Sequence, residues 1–183
     1  MRALVCLALA TLAAACTSDP PPLTESQAAV FAREVDLELA VVAARNAMRY
    51  ETTQIRAPEG ATVRLVIDNE ATTSPSMLHN VVVLVPGADV DKLGREAAGA
   101  PDFVPDTPEV ITATPLARPR GKAAVVFKVP PAGEYPYVCT YPGHFQFMRG
   151  VLVSTPRVET ARTDGGAEQA RLAPRARARS RSR

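Results

Sequence analysis

The feature that most constrains the fold is a succession of short segments rich in Val and Ile, each bounded by turn-forming residues. Apolar and polar residues tend to alternate within these segments, which is typical of strands with one buried face. Clusters such as Pro86-Gly87 and Pro142-Gly143 separate them. Many short strands at this spacing predict an all-β protein, either an antiparallel sandwich or a barrel. The predicted strands are residues 36–43, 53–57, 62–68, 80–85, 109–112, 123–129, 134–139 and 150–154.

Two segments depart from this alternation. Residues 89–98 are predicted to form a short surface helix, followed by a loop over 99–108, so that a helical flap is inserted between two strands. Residues 25–33 predict one or two helical turns ahead of the first strand. The 17 prolines argue against a helical bundle, because Pro suits turns, strand edges and tails.

The beginning of the sequence has the pattern of an export signal. Met1-Arg2 is followed by an apolar run to Ala15, which is too short to remain as a bilayer-spanning helix. Cys16 directly after small residues is similar to the cleavage and acylation site of bacterial lipoproteins, although Ala13 stands where such sites most often carry Leu. Plain cleavage after Ala15 is the alternative. Either processing predicts a periplasmic or other extracytoplasmic protein.

The chain is therefore divided into a signal peptide (1–15), a lipid-anchored tether (16–33), one domain (34–155) and a tail (156–183). The tail holds eight Arg and three acidic residues, a net charge of about +5, whereas the whole chain is +2, which leaves about −3 for residues 1–155. With almost no large apolar residues, the tail is predicted to be disordered. It could contact anionic lipid or an acidic partner, but a solvated tail without a specific role is favoured.

One unpaired cysteine and two histidines are available for chemistry in the predicted domain. Cys6 leaves with the signal and Cys16 is terminal, so Cys139 stands alone, although exported proteins usually pair their cysteines. His144 follows Cys139 by five positions, and Met148 follows His144 by four, around the turn at Pro142-Gly143. His79 opens a strand that can lie beside the strand ending at Cys139. The four side chains are therefore expected to meet.

This donor set predicts copper. A thiolate, two imidazoles and a more distant thioether are typical of copper electron-transfer sites. Structural zinc sites usually have more thiolates and no thioether. The carboxylates that calcium, magnesium or iron sites use are absent from the cluster. The predicted metal ligands are His79, Cys139, His144 and Met148.

The same residues carry a family resemblance. Over about residues 34–155 the sequence resembles the azurin and auracyanin branch of the cupredoxins, most clearly in Tyr-Val-Cys-Thr-Tyr-Pro-Gly-His (137–144), Met-Arg-Gly-Val-Leu-Val (148–153) and His-Asn-Val-Val (79–82). The resemblance implies a Greek-key β-sandwich of about eight strands, with copper near one end and a helical flap matching residues 89–98. It also implies that Asn80 ties the two ligand loops together through Thr140.

The sequence departs from azurins at two points. Leu78 precedes the first His where azurins have a Gly whose carbonyl approaches copper, so a fifth oxygen contact is not expected. No cysteines are available for the disulfide that azurins carry near the start of the domain.

The resemblance implies a single-electron carrier that exchanges electrons with redox proteins such as cytochromes or membrane complexes. No enzyme activity or nucleic-acid partner is expected, because both histidines are predicted ligands and no catalytic triad can form. Electrons are expected to pass through the exposed edge of His144. We expect Phe145 in an exposed docking patch beside it and Phe147 in the core.

Other functions fit less well. A copper-storage or delivery protein of the same fold is the main alternative, but such proteins typically use exposed Met- and His-rich sites, and this chain has four Met including Met1. An oxidase or nitrite-reductase module would need further histidines, and a binuclear copper site would need a second loop cysteine. A structural adhesion sandwich would leave the ligand loop unexplained.

Overall fold

The computed structural model describes residues 21–71 and 77–157, which fold into two β-sheets. The first sheet has the order β1-β3-β6, with β1 at Leu37–Ala43, β3 at Thr62–Asn69 and β6 at Lys122–Lys128. The second has the order β2-β8-β7-β4-β5. Its strands are β2 (Gln54–Pro58), β4 (Val82–Leu84), β5 (Val110–Ala113), β7 (Gly133–Val138) and β8 (Arg149–Thr155). All the predicted strands are confirmed, with ends that differ by at most two residues.

The strand spacing predicts an antiparallel sandwich or barrel, but two of the six strand pairs in the described residues are parallel. β1 runs parallel to β3, and β2 runs parallel to β8, whereas the remaining pairs are antiparallel. The reason is that β1 and β2 follow each other in the chain but lie in different sheets. Each therefore pairs with a strand that is not joined to it by a tight turn, and turn signals in the sequence report only on hairpin partners.

The main core lies between the sheets and is built by alternate residues of each strand. Val63, Leu65 and Ile67 of β3 are fully buried, as is Tyr137 of β7. Burying an aliphatic side chain of this size stabilises the fold by about 1.5–3 kcal/mol. The period-two alternation in these strands is thus the pattern of a sheet with one face against the core.

A second, smaller core lies under the helical flap. Helix α2 (Val90–Glu96) begins after Asp89, whose side chain accepts a hydrogen bond from the Lys92 N–H at 2.9 Å, and a 3₁₀ turn (Ala97–Gly99) follows it. The predicted helix over 89–98 is confirmed. Leu93 of α2 packs on the face of β4 that points away from the main core. Because α2 covers this face, β4 is buried on both sides and its sequence is a continuous apolar run.

Helix α1 (Glu25–Ala32) lies against β6, an edge strand of the first sheet. The side-chain amide of Gln27 accepts a hydrogen bond from the Ala124 N–H at 2.7 Å and donates one to the Ala124 carbonyl at 3.3 Å. The helical turns predicted near residue 25 are confirmed, and the described part of the predicted tether packs on the domain. Within 21–71 and 77–157, no helix is long and apolar enough to cross a membrane. The predicted signal peptide, Cys16 and residues 158–183 lie outside the described residues.

Candidate metal centre

The loop from Cys139 to Met148 carries three of the four predicted ligands. Cys139 directly follows β7, and a turn begins at Tyr141, whose carbonyl accepts a hydrogen bond from the His144 N–H at 2.9 Å. Gly143 has a φ of 81°, which a turn of this kind requires at its third position and which Gly adopts without strain. The loop closes where the Cys139 N–H donates to the Met148 carbonyl at 3.0 Å.

The fourth predicted ligand comes from the segment before β4. His79 forms an antiparallel bridge with Ala117, in which each N–H donates to the other carbonyl. β4 pairs with β7 through Val82 and Val138. This pairing places the start of β4 beside the end of β7, and it confirms that the strand opened by His79 lies next to the strand of Cys139.

The three nitrogen and sulfur donors converge on one buried point. The Nδ1 atoms of His79 and His144 are 3.1 Å apart, and Cys139 Sγ lies 3.9 Å from the first and 3.7 Å from the second. Donors bound to a single ion at about 2.0–2.3 Å are separated by roughly 3–4 Å, so this arrangement fits one metal ion. His79, Cys139 and Met148 are fully buried, and Met148 lies near the other three.

Burial controls the protonation of these groups. It raises the pKa of the Cys139 thiol to about 11, although N–H groups of Asn80 and Tyr141 and the Tyr50 hydroxyl oppose the shift. Burial, together with the nearby His144, lowers the pKa of His79 to about 4, and burial also lowers the pKa of His144. The imidazoles are therefore neutral at neutral pH and present lone pairs, whereas the thiol must release its proton to solvent when a metal ion binds.

Asn80 joins the two ligand-bearing segments. Its side-chain amide donates to the Thr140 hydroxyl at 2.9 Å and accepts from the Thr140 N–H at the same distance. Its backbone N–H also donates to the sulfur of Cys139. The expected Asn80–Thr140 link is confirmed. Such bonds fix the positions of ligands before a metal binds. The Nε2 atom of His79 is buried without a hydrogen-bond partner among the described residues.

The expected placement of the two loop phenylalanines is wrong. Phe145 is 6% exposed and belongs to the core under α2, whereas Phe147 is 60% exposed. The residues from His144 to Gln146 form a 3₁₀ turn, and the Phe145 ring packs from this turn against Gly94 of α2. His144 is itself 5% exposed, so the exposed edge expected of it is small.

The sequence analysis missed the contacts that Gly94, Arg149 and Tyr50 make at or beside this loop. A Cβ added at Gly94 of α2 would lie 2.2 Å from Cγ of Phe145, so the ring occupies the space that a side chain there would need. Arg149 donates to the Phe145 carbonyl at 2.6 Å and forms an ion pair with Asp91 of α2. Tyr50, in the connection between β1 and β2, also reaches the centre. A lone Gly within a helical pattern is a signal of close packing, but nothing in the sequence distinguishes Tyr50.

Fold and site together define a class of protein: a small β-sandwich with a buried centre of one cysteine sulfur and two imidazoles at one end. Comparison with known proteins gives the family. The model of the copper-binding proteins of the plastocyanin/azurin family matches residues 37–154. The chain belongs to this family, and its metal is copper, as the donor set predicts. Blue copper proteins of this family transfer electrons through the copper site.

Curated relatives are of the predicted azurin and auracyanin branch. The chain is 31% identical to auracyanin-A of Chloroflexus aurantiacus over 111 residues, which are 58% of this chain and 67% of that protein. It is 34% identical to auracyanin-B of the same organism over 122 residues, 63% of this chain but only 51% of that protein. Azurin iso-2 of Methylomonas sp. is 36% identical over 120 residues, 61% of this chain and 92% of the relative.

Solved structures agree with these relatives. A structure of auracyanin B superposes with a TM-score of 0.61 at 32% identity, covering 68% of this chain and 92% of that one. A structure of auracyanin A, described as a "blue" copper protein, gives a TM-score of 0.59 at 26% identity, covering 64% of this chain and 98% of that one. The predicted cupredoxin β-sandwich is therefore confirmed.

Proposed function

We propose that this protein is a single-electron carrier whose copper would be held by His79, Cys139 and His144, with Met148 as a fourth, weaker ligand. The observation that carries the proposal is the convergence of two imidazole nitrogens and one thiol sulfur within 4.8 Å of one another in a buried site. Copper, when bound, supplies a one-electron redox couple. We also propose that the copper-binding domain spans residues 34–155, as the sequence predicts.

The protein's contribution is to hold the donors still. Cys139 is held by the backbone hydrogen bond from its N–H to the Met148 carbonyl. His79 is held by the pair of backbone hydrogen bonds that it forms with Ala117. Two hydrogen bonds between Asn80 and Thr140 join the two ligand-bearing segments. Donors held in this way have little freedom to rearrange when the charge on the metal changes, which suits rapid electron exchange.

Burial favours a carrier over an enzyme. With three of the four proposed ligands fully buried and the fourth 5% exposed, the site has no room for a substrate to reach the metal. An electron needs no such access. The same burial disfavours storage or delivery, because a delivered ion must leave through exposed ligands. Near His144, the exposed ring of Phe147 supplies apolar surface suited to the small interfaces of redox encounters.

A visible spectrum and a redox titration of the copper-loaded protein test this proposal. We expect an intense blue thiolate-to-copper band that bleaches reversibly with one electron. Cys139→Ser should abolish the band while the circular dichroism of the fold is retained, because the change removes the thiolate but little volume. Cys16→Ser is the matched control and should stay blue. A blue Cys139→Ser variant would contradict the assignment of Cys139 as a copper ligand. A site that binds copper but is not reversibly oxidised and reduced would favour a storage function.

The proposed location is outside the cytoplasm, with Cys16 acylated and the protein attached to a membrane. Pro21 packs against Gly121, in the loop that follows the His79–Ala117 bridge, so the described chain begins at the copper end of the molecule. The five residue steps from Cys16 to Pro21 can span at most about 18 Å. An anchored protein would thus hold its copper end close to the membrane, which favours membrane complexes and their cytochromes as partners.

A further inference from the structure

Tyr50 has no part in the proposed ligand set, yet it is buried beside it. It lies between β1 and β2 and forms an antiparallel bridge with Ala43, the last residue of β1. Its side chain is 3% exposed in a region otherwise rich in polar residues. A buried hydroxyl needs a hydrogen-bond partner, so the partner of the Tyr50 hydroxyl indicates which part of the structure the residue stabilises.

The Tyr50 hydroxyl binds the segment that carries His79. It donates to the Asn80 carbonyl at 2.5 Å, a short bond within the buried site. The same hydroxyl lies beside the sulfur of Cys139, although its one proton is donated to the Asn80 carbonyl. The hydroxyl therefore lies where both ligand-bearing segments meet, although it belongs to neither.

This bond completes the restraint of Asn80. The side-chain amide of Asn80 binds Thr140, and its N–H binds the Cys139 sulfur. Its carbonyl is the remaining polar group, and Tyr50 supplies the donor for it. Without the hydroxyl, this buried carbonyl would lose its side-chain donor, and the residue next to His79 would be less restrained.

We propose that Tyr50 is a positioning residue of the copper centre, which holds the His79–Asn80 segment against Cys139 through its hydroxyl. The inference rests on the proposed ligand set. It adds a third chain segment, the β1–β2 connection, to the two that carry the ligands.

The test compares Tyr50→Phe with Tyr137→Phe in the copper-loaded protein. Tyr137 is the matched control: its ring is buried 5.6 Å from that of Tyr50, but its hydroxyl donates to the Thr52 carbonyl at 2.6 Å. Each variant loses one hydroxyl and keeps the ring. We expect Tyr50→Phe to weaken Cu(I) binding by about tenfold, the usual scale for groups that orient ligands. Because Cu(I) and Cu(II) prefer different ligand geometries, a less restrained His79 should affect the two oxidation states unequally, so the reduction potential and the blue band both shift.

Tyr137→Phe should leave the copper affinity, the potential and the spectrum unchanged. The urea midpoints of both metal-free variants should fall by similar amounts, which separates a structural loss from an effect on the centre. If Tyr50→Phe does not fold, 3,5-difluorotyrosine at position 50 keeps the hydroxyl as a stronger donor to the Asn80 carbonyl and should also shift the potential and the blue band. A blue parent whose potential and spectrum respond to neither change would overturn the inference, whereas a parent without a blue band would overturn the proposed function instead.

Discussion

Met148 occupies a fully buried position where the ligand loop turns into β8. The thioether of Met148 is a soft, weak donor. The backbone carbonyl of Met148 accepts a hydrogen bond from the Cys139 N–H, and this bond closes the loop. A weak axial donor of this kind stabilises the oxidised metal slightly, and its identity tunes the reduction potential of blue copper sites. The strength of the contact between the Met148 sulfur and copper is therefore expected to set part of the protein's reduction potential.

We predict that Met148→Leu raises the reduction potential. Leu conserves the buried volume, so the cost in stability should stay below about 1.5 kcal/mol. Loss of the axial donor disfavours Cu(II), and a tenfold change in the ratio of the two affinities corresponds to about 59 mV. Potentiometric titration measures the shift. Met48→Leu, which alters a 43% exposed Met, is the control and should not move the potential. An unchanged or lower value for Met148→Leu would argue against axial ligation.

At the scale of elements, α2 acts as a clamp on the ligand loop. Gly94 admits the ring of Phe145, the residue after His144, and Asp91 pairs with Arg149, the residue after Met148. The ion pair is largely exposed and contributes little, about 0–1 kcal/mol. The packing of Phe145 is the stronger contact, because burying an aromatic ring removes a large apolar surface from water.

We predict that Gly94→Ala destabilises the protein. In an unconstrained helix this change stabilises by about 0.5–1 kcal/mol. Here the new Cβ would overlap the ring of Phe145, and overpacking of this kind costs about 1–3 kcal/mol. Gly99→Ala is the matched control, since nothing lies within 4 Å of a Cβ at that position. Urea unfolding of the metal-free protein gives the comparison. If Gly94→Ala were as stable as the parent protein or more stable, the Phe145 ring would not be tightly packed against Gly94.

The elements themselves were predictable from the sequence, and so was the position of β4 beside β7, but the parallel strand pairs were not. Strand positions follow from local alternation and turn residues, and so does the helix after Asp89. The parallel pairing of β1 with β3 depends on contacts between segments that are not joined by a turn. At the centre, ligand types and spacing sufficed for His79, Cys139, His144 and Met148 to be proposed. The burial of Phe145 and the reach of Tyr50 depend on tertiary packing, which no local pattern encodes.

At the scale of the whole molecule, the two ends of the sandwich differ. β1, β3 and β7 end, and β6 begins, at the copper end, where Pro21 also lies. From there α1 runs along β6 and is fastened by Gln27 to Ala124. A chain that starts at this end and is anchored a few residues earlier would present the centre to partners in or near the membrane, and diffusion along the surface would replace diffusion through solution.

We predict that Cys16→Ser releases the protein from the membrane. Acylation of the Cys16 thiol would supply the anchor, and Ser at this position offers no thiol to acylate. Fractionation of cells that express the full chain measures the distribution, with the blue band marking the folded protein in each fraction. Cys6→Ser is the matched control, because it lies in the segment predicted to be removed and should not alter the distribution. If Cys16→Ser still sediments with membranes, another anchor holds the protein, and the Arg-rich residues beyond 157 would be the next to delete.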